Sequence, residues 1–293
     1  LFASGDSKTD AELIAPIARA LWLEKSLKNP HAAVVKMLYE VQQRAHSFDI
    51  IHNHFNFFMF PLALCNSLPP ILTTIHRPID TLYAETIKLF NRIRFCVLSE
   101  DAKQSAQEHG IEVCGVIPNG IDPSRYAFNA TPQDYVLYLG RLNREKGIVT
   151  AIRAAKAAGK KLVVAGNVAG AEEWTYFMQE VQPCLNDEHV QFVGQADFAQ
   201  KTELLRNASA LLFPIERREP FGLVMIEAMA CGTPVIAFRR GSAPEVITHG
   251  KTGFLVDTEQ EMIEAMGHIG ELNRSACRKR VEDYFTLDLM TTR

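Results

Sequence analysis

Two acidic and two basic residues carry the chemistry this sequence offers. Glu219 and Glu227 are separated by seven residues within EPFGLVMIEAMACGTPVIA. The spacing of Phe221, Val224, Met225, Ala228 and Met229 predicts a helix over Phe221–Cys231. Glu219 falls just before it and Glu227 about two turns inside, so the carboxylates should stand about 10–12 Å apart. Between them lie the unpaired N–H groups and positive dipole end of the helix, which attract an anion. A ligand with a hydroxylated ring at each end and a diphosphate in the middle fits that layout, and a nucleotide sugar is such a ligand. On most helices two glutamates so spaced are solvated surface. Here Pro-Phe-Gly follows the first, and the second sits among apolar neighbours, so Glu227 is expected to be half-buried and to need a partner.

The cations come earlier, in YLGRLNREKG (Tyr138–Gly147), which leaves a strand. Gly140 lets backbone approach a ligand, and Arg141 and Lys146 put two positive charges at the strand's carboxyl end. A helix starts at Gly147, and cations beside a helix N-terminus suit a diphosphate. Taken bare, Gly-Arg with a nearby Lys is usually a solvated loop. No Gly-Lys-Ser/Thr follows, so this is not a Walker loop, and the absence of G-x-G-x-x-G weakens a nicotinamide-dependent reading.

Three histidines lie near strand ends: His52 and His54 in IHNHF, and His76 in TTIHRP. His52 and His54 share a face in an extended chain. They could form half a zinc site, but no third ligand of suitable spacing is evident. One structural and one site histidine is the commoner arrangement.

The run from Glu219 to Ala237 closely resembles the signature E-P-F-G-[LIV]-x-x-x-E-A-M-A-x-G-x-P-V-[IV]-A of the family 4 (group 1) glycosyltransferases, which are retaining enzymes of the GT-B fold. Gly140–Gly147 resembles that family's G-R-x-x-x-x-K-G motif. The likeness is strong over residues 128–270 and looser over 1–127. It implies that Arg141 and Lys146 hold the phosphates of a nucleotide-diphosphate-sugar donor, helped by the backbone N–H groups of Phe221, Gly222 and Leu223. Glu227 would accept from ribose hydroxyls, and Glu219 would lie by the donor sugar. The backbone at Phe192-Val193-Gly194 would pair with the base, and His76 would contact the donor sugar or its phosphate. Most members have Gly after that histidine, where this chain has Arg77. Asn119–Asp122 and Gly241–Glu245 match two further family segments, for which a structural turn or cap explains at least as much. No Asp-x-Asp occurs, so no metal and no cofactor are expected; Arg141, Lys146 and the helix end would do the ion's work. Rival readings are a nucleotide-sugar epimerase or phosphorylase on the same fold, or a non-catalytic sugar-nucleotide-binding protein.

These residues need a frame. The 293 residues give room for one large or two ordinary domains. Apolar content of 47% with 22% charged residues is that of a globular chain, and a net charge of −3 argues against nucleic acid as the main partner. Six cysteines without a CxxC read as reduced core residues, and no apolar run reaches the ~18 residues of a membrane span. A cytoplasmic location follows, with a small-molecule, glycan or lipid-linked acceptor. Along the chain, helices are expected over Asp10–Trp22, His31–Ala45, Phe55–Cys65, within Asp80–Asn91 and over Asp101–His109. They alternate with strands at Phe48–His52, Pro70–Ile75, Ile93–Leu98 and Glu112–Ile117. The rhythm repeats more cleanly from Tyr135 onward. The fold class is α/β, two Rossmann-like doubly wound domains facing a cleft: 1–128 on the acceptor side, 129–272 binding the donor, and 273–293 a helix crossing back. Leu1-Phe2-Ala3 reads as a strand end. Residues before it are expected in the intact protein, where family members have a first strand, a Gly-rich loop and a helix, and that segment counts as a partner of this chain.

Overall fold

A parallel strand packed on both faces must be apolar throughout, and the runs in the second half of the chain are, save VQFVG (Val190–Gly194), which carries Gln191 and is largely exposed. In the computed structural model, which describes residues 1–21, 28–65, 67–186 and 188–292, those runs form one six-stranded parallel sheet. Its strands are β5 (Val136–Leu139), β6 (Leu162–Ala165), β7 (Val190–Gly194), β8 (Ala210–Phe213), β9 (Val235–Phe238) and β10 (Gly253–Val256). Their order is β10-β9-β8-β5-β6-β7. The chain thus builds outward from β5 through β6 to β7, then returns to lay β8 on the other side of β5. That reversal makes the β5/β8 edge a topological switch point, where α/β sheets bind ligands beyond the strands' carboxyl ends.

Contacts divide the chain into two units, Leu1–Val97 with Ser105–Gly115, and Leu98–Gln104 with Val116–Arg293. The first holds α1 (Pro30–Arg44), β1 (Ile51–Asn53), β2 (Ile71–Thr74), α2 (Thr81–Lys88) and β3 (Ile93–Val97), and α3 (Glu100–Glu108) runs from the second unit into it. With β4 (Gly115–Val116) its sheet runs in plain sequence order, β1-β2-β3-β4. Asn29 starts α1 by accepting from the Ala32 N–H, and Asp80 starts α2 by accepting from the Tyr83 N–H. An apolar groove of about 540 Å³ runs beside β1, lined by Phe2, Ile17, Val34, Met37, Ile51 and Met59 among others.

Two expectations in this unit fail, both at proline. Asp10–Leu21 form no helix; Ile14 instead bridges Phe2 in parallel, and Trp22 lies outside the described residues. Pro16 lacks an N–H and would clash with the carbonyl four residues back, which outweighs the apolar stripe. Asn56–Leu64 is a 3₁₀ helix containing Pro61, not an α-helix.

The second unit continues with α4 (Ile148–Ala157), α5 (Gly170–Tyr176), α6 (Phe198–Asn207), α7 (Leu223–Ala230), α8 (Ala243–Val246), α9 (Glu259–Gly267), α10 (Arg274–Tyr284) and α11 (Leu287–Thr291). The helical stretch after β6 divides into α5, a π turn at Phe177–Val181 and a 3₁₀ turn at Gln182–Asn186. Neighbouring residues of β5 enter different cores, Val136 and Tyr138 one and Leu137 the other. Met225–Ala230 of α7 are buried all round. Residues 116–128 pack in this unit: Ile121 bridges Thr286, and Tyr126 is buried. The buried Arg274 of α10 donates to the carbonyls of Asn129, Ala208 and Arg206 and to the Thr233 hydroxyl. Among the cysteines, Cys96, Cys231 and Cys277 are buried while Cys114 is exposed, so they are not uniformly core residues. No helix among the described residues is long and apolar enough to cross a membrane.

Candidate functional site

The loop leaving β5 is held at both ends by a single phenol. The buried Tyr138 hydroxyl donates to the carbonyls of Arg141, at 2.8 Å, and Lys146, at 3.3 Å, and burial raises its pKa, so it remains a donor. Between those anchors Asn143 accepts from the Lys146 N–H and starts a 3₁₀ turn over Arg144–Lys146. Gly147 then opens α4 with φ +71°; a Cβ there would lie 2.0 Å from the Pro214 carbonyl oxygen. Gly147 is therefore the point where the β5 loop presses on the β8 loop. Gly140 has open space where a side chain would be, with only the Tyr138 hydroxyl within 4 Å, at 3.8 Å, as a backbone that meets a ligand requires.

The loop leaving β8 is fixed from the opposite side. Gly241, at φ +57°, lies so close to Glu219 that a Cβ would come 2.4 Å from its nitrogen and 2.6 Å from its oxygen. Ser242 donates its N–H to the Glu219 carbonyl, at 3.1 Å, and its hydroxyl to that of Phe221, at 2.7 Å. The outcome of both sets of constraints is one ion pair, Lys146 Nζ to Glu219 Oε2 at 2.6 Å, with the side chains 20% and 17% exposed. Such a pair is sheltered enough to hold its geometry, yet open enough to exchange partners. The flanking arginines are also engaged, Arg217 with Glu145 and Arg218 with Asp101.

Gly222, in the left-handed region, opens α7, and no side chain caps that helix. One turn further in, Glu227 is 9% exposed. Its Oε1 accepts from the Tyr126 hydroxyl at 2.9 Å and from Lys201 Nζ at 2.5 Å. Burial and then the carboxylate's charge raise the Tyr126 pKa, which keeps the phenol a donor. The partner that Glu227 was expected to need is thus a double one, from the segment before β5 and from α6.

Arg141 is paired with Glu173 of α5, a residue the sequence reading missed. Gly194 ends β7 with its carbonyl accepting from the Gly166 N–H at 2.9 Å. The Asn119–Asp122 segment is a cap and turn, Asp122 accepting from the Ser124 N–H. Glu245 has a structural task, its carboxylate accepting from the N–H groups of Glu100, at 2.8 Å, and Asp101, at 2.9 Å, at the start of α3.

In the first unit the three histidines do converge. His54 Nδ1 lies 2.9 Å from His76 Nε2, and the His52 and His54 rings are 4.2 Å apart. His52 Nε2 meets the Thr74 hydroxyl at 2.8 Å. Desolvation first, then repulsion from His52 and His76, bring His54 down to about 4, and His52 and His76 are lowered too. The cluster is neutral at neutral pH. Among the described residues no group of three or more His, Cys, Asp or Glu could hold a metal ion. Arg77 turns to Asp80, at 3.1 Å, and to the Tyr83 ring.

A switch-point crevice with paired cations and an uncapped helix end belongs to many α/β proteins, so the comparisons with known proteins decide the family. The model described as "Glycosyl transferases group 1" matches residues 124–280, more than half of the chain. The chain belongs to that family. A second model, "Glycosyltransferase Family 4", matches residues 1–125. Glycogen synthase of Mycobacterium tuberculosis is 35% identical over 153 residues, 49% of this chain and 36% of that protein. N-acetyl-alpha-D-glucosaminyl L-malate synthase of Bacillus anthracis is 29% identical over 255 residues, 77% of this chain and 65% of that protein. The alignments thus span about one third to two thirds of these relatives. Sucrose-phosphate synthase of Thermosynechococcus elongatus superposes with a TM-score of 0.76 over 89% of this chain and 76% of that one, at 22% identity. Anabaena Alr3699/HepE, solved with UDP and glucose, gives 0.75 over 87% and 79%, at 19% identity. At such identities these neighbours establish the fold: it is GT-B, α/β with two parallel sheets.

Proposed function

We propose that the chain is the sugar-transferring part of a retaining, metal-independent glycosyltransferase that uses a nucleotide-diphosphate sugar. The observation that carries this reading is the Lys146–Glu219 pair at the β5/β8 switch point, beside the uncapped end of α7. Lys146, Arg141 and the N–H groups of Phe221, Gly222 and Leu223 receive the diphosphate and offset the charge that builds on it as it leaves. Glu227, oriented by Tyr126 and Lys201, accepts from the ribose hydroxyls, and the backbone at Gly194 faces the base. Glu219 stands by the donor sugar and stabilises its oxocarbenium character. In the reaction the bond from the anomeric carbon to the diphosphate oxygen breaks, and the acceptor oxygen bonds to the same face. The acceptor's proton passes to the leaving phosphate oxygen. The family resemblance assigns His76 to the donor sugar or its phosphate. The UDP and glucose in the HepE structure's title support testing uridine donors first.

The test is a melting-temperature panel of UDP-, GDP- and ADP-sugars, followed by product analysis with the donor that raises the melting point. Transfer of the sugar with its anomeric configuration kept is the expected result. No stabilisation by any donor, or inversion at the anomeric carbon, would overturn the proposal.

A further inference from the structure

Glu173 has no part in the reaction just described, yet it takes the cation that the donor's phosphates need. It is held as an anion by three donors: Arg141, the Asn143 side-chain amide at 2.9 Å and the Ala169 N–H at 2.8 Å. Its side chain is 13% exposed. Burial pushes its pKa up, but the hydrogen bonds from Asn143 and Ala169 and the charge of Arg141 more than offset this, and the net shift is downward. Two carboxylate oxygens receiving a guanidinium, an amide and a backbone N–H beyond the ends of β5 and β6 are what a phosphate would receive there.

The helix that carries this carboxylate is lightly anchored. None of the seven residues of α5 is buried, and Trp174 beside Glu173 is 55% exposed. The helix begins at Gly170 and gives way at once to the π turn Phe177–Val181, the kind of irregularity that recurs at functional sites. Its other ties to the β5 loop are Arg144's stacking on the Tyr176 ring, and Arg144's ion pair with Glu180 just beyond the helix. An element with so little buried apolar surface opens at low cost.

We propose that Glu173 is a built-in competitor of the donor's diphosphate: it pairs with Arg141 when the site is empty, is displaced with α5 when the donor binds, and recaptures Arg141 as the nucleoside diphosphate leaves. This rests on the donor site proposed above. Glu173 sets donor affinity through Arg141 and touches no reacting atom.

The experiment measures binding of UDP, GDP and ADP, and of the matching nucleosides, to the full chain by calorimetry. Glu173→Gln keeps the side chain's shape and its acceptor for Asn143 while removing the charge. The tightest-binding diphosphate should bind about fivefold more tightly to E173Q than to the unsubstituted chain, while its nucleoside binds equally to both. In an Arg141→Ala background the substitution should bring no gain. Fluorescence of Trp174 in a Trp22→Phe chain should shift on adding the diphosphate, and should already be shifted in E173Q without it. Weaker or unchanged diphosphate binding by E173Q, or the same gain with Arg141 removed, overturns the proposal and leaves the donor site standing. If E173Q melts too low to measure, the fluorescence response of the W22F chain decides, and no shift on binding counts against it. Failure of the unsubstituted chain to bind any diphosphate overturns both readings.

Discussion

The two sheets end in opposite chemistry. Beyond β5 and β8 the second unit gathers full charges in matched pairs, Lys146 with Glu219, Arg141 with Glu173 and Lys201 with Glu227. At the ends of β1 and β2 the first unit gathers three imidazoles that lean on one another and stay neutral. Topology explains part of the difference. A sheet whose order reverses leaves a crevice between diverging loops, and Gly147 against Pro214 and Gly241 against Glu219 bring those loops to fixed positions. The first sheet runs in sequence order without reversal. The proposed function accordingly seats the charged part of the donor in the second unit.

The sharpest way to break that contrast is to remove the charge at the switch point. Lys146→Ala should lower kcat about 10²–10³-fold, the usual cost of losing one fixed group that stabilises a leaving anion, and Glu219→Ala should abolish transfer. Both side chains are partly open to solvent, so melting temperatures should stay within a few degrees. Steady-state rates on the donor found by the panel check this, and unchanged turnover in either variant would remove the switch point from the chemistry.

Geometry comes next in size. Gly147→Ala must accept both a left-handed φ and a Cβ 2.0 Å from the Pro214 carbonyl oxygen, so the β8 loop has to shift. A loss of about 2–4 kcal/mol is expected, read as a melting temperature lower by about 5–10 °C. Activity should fall further than stability does, because the loop that moves carries Glu219. Denaturation and rate measurements on one sample test whether the two losses separate.

Much of the second unit was open to inspection in the sequence because its signals are local. Six apolar runs with turns between them specify six strands, and Glu219, Glu227, Arg141 and Lys146 fall in short motifs. What stayed hidden are partners far apart in the chain: Tyr126 and Glu227 are 101 residues apart, and Asn143 and Glu173 are 30. No periodicity marks such pairs. Glu227 did announce a need, as a carboxylate among apolar neighbours, without naming who meets it. Gly241 and Ser242 were visible as a turn, but that the turn presses on the backbone of Glu219 is a tertiary fact. In the first unit one proline overrode a helical stripe, since a missing N–H and a steric clash cost more than an amphipathic pattern returns.

The ribose end offers a milder test of the same contrast. Glu227→Gln should raise the donor's KM about tenfold and change kcat less, since a hydroxyl contact is made equally before and during reaction. Tyr126→Phe, which leaves Lys201 on the carboxylate, should cost about 1 kcal/mol of stability. A larger loss of kcat than of donor affinity in E227Q would move that residue out of ribose binding and toward the chemistry.

The smallest effect should come from the neutral cluster. Burial, and then the charges of His52 and His76, push the His54 pKa down from the ordinary 6.5 to about 4 in the folded chain. Between those values the unfolded chain binds the proton and the folded chain does not, so stability must fall as pH drops through that window and level off below it. His52 and His76 are shifted the same way and add to the slope. Burial is the main reason the folded cluster resists charging, and repulsion among the histidines adds to it. His54→Gln should flatten the decline between pH 6.5 and 5, a difference of about 2–4 °C in melting temperature, with the two proteins alike above pH 7. Measuring above pH 5 keeps the carboxylates ionised in both chains, so the difference reports imidazoles alone. Parallel melting curves for the two proteins across that window would mean the cluster takes up protons as freely as the unfolded chain does, and the contrast between a charged and a neutral sheet edge would have to be withdrawn.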